Sequence, residues 1–274
     1  MNTKEIYHAL LLGIRDYFKK NNFKKAVIGL SGGLDSSVAT SLVVKALGKQ
    51  NVTAILMPDI GTTSKESMKN AKMLAKKLGI KHHSVEINNF VRFFENLSKK
   101  MHYKNRAYSI SNAKARTRMM ILYYFANLEN ALVIGTSDKS EIALGYTTKY
   151  GDNAADILVI GDLWKTEVIE LGRFLGIPEP ILRKKPSAEL VKGLTAEKEL
   201  GASYPILDKI LKMYIEDGLS PDQITGFDRK LVNKAVDRIR LNEHKRRSAM
   251  LIRVSEKSFH GMEWRMPITN RFKG

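Results

Sequence analysis

The chain has 274 residues, 43% of them hydrophobic and 27% charged, proportions that suit a folded globular protein with a sizeable core. It contains no cysteine, which excludes disulfides, thiolate metal sites and a cysteine nucleophile. The formal net charge of +18 raises the question of nucleic acid, but the lysines are scattered in pairs such as Lys19-Lys20 and Lys184-Lys185, and only 244–247 (HKRR) is a cluster, so a solvated surface or an anionic small substrate accounts for them.

Residues 3–20 thread acidic and basic side chains through an apolar stripe of Ile6, Leu10, Ile14, Tyr17 and Phe18, which predicts an amphipathic helix and not a signal peptide. No apolar run approaches the roughly 20 residues of a membrane helix, and a cytoplasmic location is expected. A short apolar strand at 25–30 is followed by a helix over 35–47. A second strand covers 52–57, bounded by Pro58, and Ser64 can cap a helix running to 78. Residues 83–87 (HSVEI) predict a third strand, 113–127 a long helix and 131–136 (ALVIGT) a fourth strand. Further helices are expected over 164–175, 204–217 and 231–247, with mobile loops at 59–64 and 184–203. Strands alternating with helices predict an α/β fold, a Rossmann-like parallel sheet covered by helices on both faces, in a single domain spanning 1–274.

The stretch 26–37 (AVIGLSGGLDSS) ends an apolar strand in a Ser-Gly-Gly turn and opens a helix with an aspartate. It has three readings. Gly32-Gly33 can simply turn the chain. The literal match of 29–33 to G-x-S-x-G is that of a serine-hydrolase elbow, but only one strand precedes it and no oxyanion loop lies nearby. The third reading is a nucleotide site, because free N–H groups and the helix dipole attract anions. The P-loop lysine and the G-x-G-x-x-G fingerprint are both absent. A carboxylate beside polyphosphate repels it unless a divalent cation lies between, so Asp35 implies a metal, with Ser31, Ser36, Ser37 and the loop amides on phosphate oxygens.

SGGLDSS resembles the SGGxDS loop of the ATP pyrophosphatases. KARTRM (114–119), GTSDKSE (135–141), TTKYGDNAAD (147–156), KTEVIELGRFLGIP (165–178) and KKPSAEL (184–190), in that order, resemble ammonia-dependent NAD synthetases. The resemblance implies an adenine-nucleotide α-hydrolase-like fold, usually in a homodimer. It implies a Mg²⁺-dependent ligase in which the carboxylate of deamido-NAD attacks the α-phosphate of ATP, and ammonia then displaces AMP from the acyl-adenylate.

By the same resemblance, Gly29, Leu30, Ser31, Gly32, Gly33, Leu34, Asp35 and Ser36 bind ATP, as do Thr136, Lys165 and Ser187. Asp35 and Glu141 are implied Mg²⁺ ligands, and Lys165 would neutralise charge on leaving pyrophosphate. Arg116, Lys149, Asp156, His244 and Lys245 are implied contacts of deamido-NAD, and Asp152 a residue that steers ammonia. Glu141 lies five residues past the fourth strand, at the sheet's carboxyl edge, where such sites form.

The alternatives are a tRNA-modifying relative of the same loop superfamily, which the charge favours, and a module that only senses adenine nucleotides. The first does not explain KARTRM and TTKYGDNAAD in series, and paired Asp35 and Glu141 argue against the second. With no cysteine to form a glutamyl thioester, and with motifs filling residues 29–247, free ammonia is the expected nitrogen donor and no glutaminase domain is expected. The stretch 248–274 follows no family pattern and reads as packing or dimer contact.

Overall fold

The computed structural model describes residues 2–104, 106–187, 189, 193 and 195–258. In chain order the elements are α1 (Thr3–Lys20), β1 (Lys25–Gly29), α2 (Leu34–Leu47), β2 (Val52–Leu56), α3 (Lys65–Leu78), β3 (Lys81–Ser84), α4 (Asn88–Lys100), α5 (Ala107–Glu129), β4 (Ala131–Gly135), α6 (Lys139–Leu144), β5 (Ile157–Leu158), α7 (Lys165–Phe174), α8 (Glu179–Leu182), α9 (Ala196–Leu200), α10 (Tyr204–Ile215), α11 (Arg229–Leu241) and α12 (Glu243–Arg246).

The five strands form one sheet in the order β3-β2-β1-β4-β5, and every pairing is parallel. The three central strands are apolar because both their faces are covered. Ala26, Ile28, Ala54 and Leu56 enter the core shared with α1, α2 and α7, and the alternate residues Val27, Ile55 and Val133 enter a second core under α4 and α5. A third cluster, built from α6, α9, α10 and α11 around Trp164 and Tyr204, lies beyond β4. Strand order reverses at β1, so a crevice opens beyond the carboxyl ends of β1 and β4.

The expected third strand is displaced. The ladder is carried by 81–84, while Val85 and Ile87 send single backbone bonds to Leu56 and Pro58. The apolar pair suggests a strand, but those side chains serve the core under α4, and β3 is a polar edge. The expected mobile loop at 59–64 is a pinned turn. Asp59 pairs with Lys114 at 2.7 Å, and Asn88 bonds both Asp59 and the Ile60 backbone. The expected loop at 184–203 contains α9, capped by Thr195. Part of that loop, and residues 259–274 of the unassigned tail, lie outside the described residues.

Candidate active site

The turn after β1 is shaped by its glycines. Gly32 has a φ of +78°, and a Cβ there would collide with the Ser67 carbonyl oxygen of α3, so only glycine fits. The serines lock the turn from inside. Ser31 and Ser36 hydroxyls meet at 3.0 Å, the Gly33 N–H donates to Ser31 Oγ, and Ser37 Oγ donates to the Gly33 carbonyl at 2.6 Å. Ser37 is therefore a buried fastening and not a phosphate ligand, which corrects the sequence reading. Leu34 likewise turns into the core. Asp35 stands in the first turn of α2, on the side that faces the crevice.

The crevice has a volume of about 240 Å³ and is lined by Gly29, Leu30, Ser31, Gly33, Asp35 and Ser36 from the turn, by Thr136 and Glu141 after β4, and by Asp152 and Ser187 from the loops. Ten of the residues singled out in the sequence thus meet in one place.

Beneath them lies Lys165, at the start of α7 and 1% exposed. Its ammonium is 2.7 Å from Asp35 Oδ1, 2.7 Å from Asp138 Oδ2 and 3.1 Å from Glu141 Oε1. Asp35 Oδ1 and Asp138 Oδ2 both have this ammonium as their partner. The three carboxylate oxygens lie within 4.8 Å of one another, close enough to share one cation. Burial pushes the Asp138 carboxyl up to about 6, against the pull of Lys165. Burial also holds Glu141 well above the carboxylate range. For Lys165 burial acts downward, but Asp138, Asp35 and Glu141 outweigh it and keep the ammonium charged.

The backbone around Lys165 is fixed by polar groups that the sequence reading missed. Asp138 caps α6, accepting the Glu141 N–H at 2.9 Å. Asp208, buried in α10, accepts Ser140 Oγ at 2.6 Å and the Thr166 N–H at 2.9 Å, while Ser140 Oγ accepts the Lys165 N–H at 2.8 Å. The D-x-x-E spacing of 138–141 carried a capping-box signal, whereas nothing local marked Asp208. Arg118 was also passed over. Two residues from exposed Arg116, it faces inward, lines the crevice and donates to the Met57 carbonyl at 3.1 Å. Burial draws its pKa down, opposed by Asp59, Glu189 and Asp152.

The residues expected to meet deamido-NAD separate into groups. Arg116 Nε donates to the Lys149 carbonyl at 3.3 Å, which places both at the turn before Gly151. Lys245 Nζ donates to the Gly145 and Thr147 carbonyls, so it anchors the same turn, and His244 beside it is exposed. Asp152 accepts the Thr148 N–H at 2.7 Å. Asp156 stands apart. One carboxylate oxygen accepts the Val133 N–H at 2.7 Å, the other the Tyr123 hydroxyl at 3.3 Å, so it holds the sheet where β4 meets β5.

A parallel sheet with a Ser-Gly-Gly-x-Asp turn at its switch point and opposing acidic residues at its carboxyl edge defines an α/β protein with its crevice at the carboxyl ends of the strands. The NAD synthase family profile matches residues 6–249, and the chain belongs to that family. It is 44% identical to a glutamine-dependent NAD(+) synthetase of Thermotoga maritima over 284 residues, covering all of this chain and 49% of that protein. It is 45% identical to an NH(3)-dependent NAD(+) synthetase of Methanocaldococcus jannaschii over 248 residues, covering 89% of this chain and 95% of that one. An NMN synthetase structure from Francisella tularensis superposes with a TM-score of 0.81 at 35% identity, covering 93% of this chain and 100% of the other. The chain spans about half the length of the glutamine-dependent relatives and nearly all of the ammonia-dependent one. Among the described residues no helix is long and apolar enough to cross a membrane.

Proposed function

We propose that the chain makes the amide of NAD from deamido-NAD, ATP and ammonia, releasing AMP and pyrophosphate. One observation carries this reading. A phosphate-binding turn is faced by Asp35, Glu141 and Asp138 around a buried lysine, an arrangement that suits a polyphosphate carried with a divalent cation and has no use for a neutral ligand.

The loop amides and Ser31 would cradle the phosphates, with Thr136 and Ser187 lining the same crevice for ATP. Asp35 and Glu141 would hold a magnesium ion, whose chemistry is to screen the triphosphate and polarise the α-phosphoryl group. The shared spacing of the carboxylates, with Asp35 and Glu141 both lining the crevice, fits such an ion. Arg116, Lys149, His244 and Lys245 are assigned to deamido-NAD, whereas Asp156, committed to Val133 and Tyr123, is not. A carboxylate oxygen of that substrate forms a bond to the α-phosphorus as the bond to the pyrophosphate oxygen breaks. Ammonia then adds to the acyl carbon, the carbon–oxygen bond to AMP breaks, and a proton is lost, with Asp152 as the carboxylate placed to guide it. Lys165 supplies positive charge as pyrophosphate departs.

The reading includes one domain, a homodimer, a cytoplasmic setting and no nucleic-acid partner. The NMN synthetase neighbour favours a second reading, in which the amide is formed on the mononucleotide. The test is an assay with ATP and ammonium, each acid-form nucleotide offered separately, and pyrophosphate and amide measured. The dinucleotide should turn over with the higher kcat/KM. Glutamine freed of ammonia should give almost nothing, since this chain has no cysteine. Pyrophosphate release with neither nucleotide, or only with tRNA, would overturn the proposal.

A further inference from the structure

Lys165 occupies the place where a shared cation would sit, yet it is part of the chain. The three carboxylates around it are unequal. Asp35 and Glu141 side chains are 24% and 19% exposed and both line the crevice. Asp138 is 0% exposed, and its second oxygen is committed to the α6 cap, so it cannot turn toward the crevice without uncapping that helix. The Lys165 main chain is equally committed, its N–H to Ser140 and its neighbour's to Asp208. Only the flexible stem of Lys165 is free to move, and only Asp138 is bound to stay with it. The ring of Tyr204 lies 5.1 Å from the ammonium and closes the side away from the crevice.

Three carboxyl groups crowd one ammonium, and the two that line the crevice, Asp35 and Glu141, are placed to pass to a divalent cation. A magnesium ion binds oxygens at about 2.0–2.1 Å, too close for an ammonium to remain between the same atoms. From these constraints we propose that Lys165 is a built-in stand-in cation for the nucleotide-free site, and that Asp138 is the positioning residue that retains it when Asp35 and Glu141 pass to a divalent cation. Lys165 swings about Asp138 and its ammonium turns toward the incoming phosphates. Without nucleotide, Lys165 keeps the carboxylates from repelling one another and from collecting stray metal. Asp138 belongs to the lysine and not to the metal. The inference rests on the reading of this crevice as a nucleotide site.

The probe is Mn²⁺, followed by electron paramagnetic resonance with and without ATP on the full chain. Wild type should bind Mn²⁺·ATP but show only weak Mn²⁺ binding alone. Lys165→Met, which keeps the stem and removes the charge, should bind Mn²⁺ without ATP roughly tenfold more tightly or better, since its carboxylates have lost their internal partner. Asp138→Asn keeps a good N-cap. It should hold Mn²⁺·ATP within roughly twofold of wild type while kcat falls roughly 100-fold with little change in the KM for ATP, because Lys165 is no longer held in position. Asp35→Asn, by contrast, should lose Mn²⁺·ATP itself. A Lys165→Met variant with no gain in Mn²⁺ affinity, or an Asp138→Asn variant that loses Mn²⁺·ATP as Asp35→Asn does, would overturn the inference. Failure of wild type to bind Mn²⁺·ATP at all would instead strike the nucleotide reading beneath it.

Discussion

Single residues decide whether this crevice can hold phosphate. Gly32 is required twice over, by its positive φ and by the Ser67 carbonyl that fills the space a Cβ would take. Gly32→Ala should cost roughly 3 kcal/mol or more and lower the urea midpoint, because both strain and backbone displacement follow. An unchanged midpoint would show that the turn relaxes freely. Asp35→Asn is a different kind of change. Its side chain lines the crevice, and Lys165 keeps Asp138 and Glu141 as partners when the Asp35 charge is removed, so the thermal midpoint should stay within a few degrees while turnover falls by at least about 100-fold, or about 3 kcal/mol in the barrier. Full turnover by this variant would remove Asp35 from the chemistry. Asp35 and Glu141 were legible in the sequence because each follows an apolar strand at the edge where ligands bind. Asp138 and Asp208 were not. Asp138 reads as an ordinary helix cap, and Asp208 meets Ser140 across 68 positions of chain, so only the packed fold reveals that the two support one lysine.

At the scale of elements, the turn over 59–63 shows how one buried ion pair replaces a regular structure. Asp59 accepts Thr62 Oγ1 at 2.6 Å as well as pairing with Lys114. Burial raises its carboxyl, but the bonds from Lys114 and Thr62 outweigh it and hold the pKa below the ordinary aspartate range. A depressed acid pKa adds stability that is fully present above the unfolded-state value, about 4, and is lost as pH falls through the folded one. Asp59→Asn should therefore lose roughly 3 kcal/mol near neutral pH, where it removes the buried ion pair with Lys114, and the gap to wild type should narrow below about pH 4. Urea midpoints measured from pH 7 to 3 check this, and parallel curves would refute it. The main helices and the three central strands were legible from periodicity and apolar runs. Helix α4 was not, because Val91 is its one fully buried side chain and the rest of its apolar residues stand partly in solvent. The break between α11 and α12 was hidden too. It falls at Asn242, whose side chain packs against Gly145 at the end of α6, a contact the local pattern does not carry.

At the scale of the whole molecule, exposed apolar side chains gather on one face of α5. On α5, Arg116, Met120, Tyr124 and Leu128 follow one another at i, i+4 spacing and share a face. Tyr124 and Leu128 are 62% and 64% exposed, and Met120 51%, while Phe93 and Leu97 of α4 are exposed as well. Isolated surface apolar residues need no explanation, but a stripe along a 23-residue helix suits the homodimer proposed above. A second copy is the occupant proposed here, and its consequence reaches the site, because Arg116 stands on the same stripe as the apolar residues and also touches the turn at Lys149. Tyr124→Glu combined with Leu128→Glu places charge in that stripe while changing a net charge of +18 by only two units, so loss of association cannot be put down to altered solubility. Sedimentation equilibrium should show the dimer dissociating at protein concentrations roughly 100-fold higher than for wild type. In the same variant the KM for deamido-NAD should rise while Mn²⁺·ATP binding, which depends on groups around Lys165, stays as it was. A variant that remains dimeric would place the partner elsewhere, and one that becomes monomeric with an unchanged KM would free Arg116 from any dependence on the second copy.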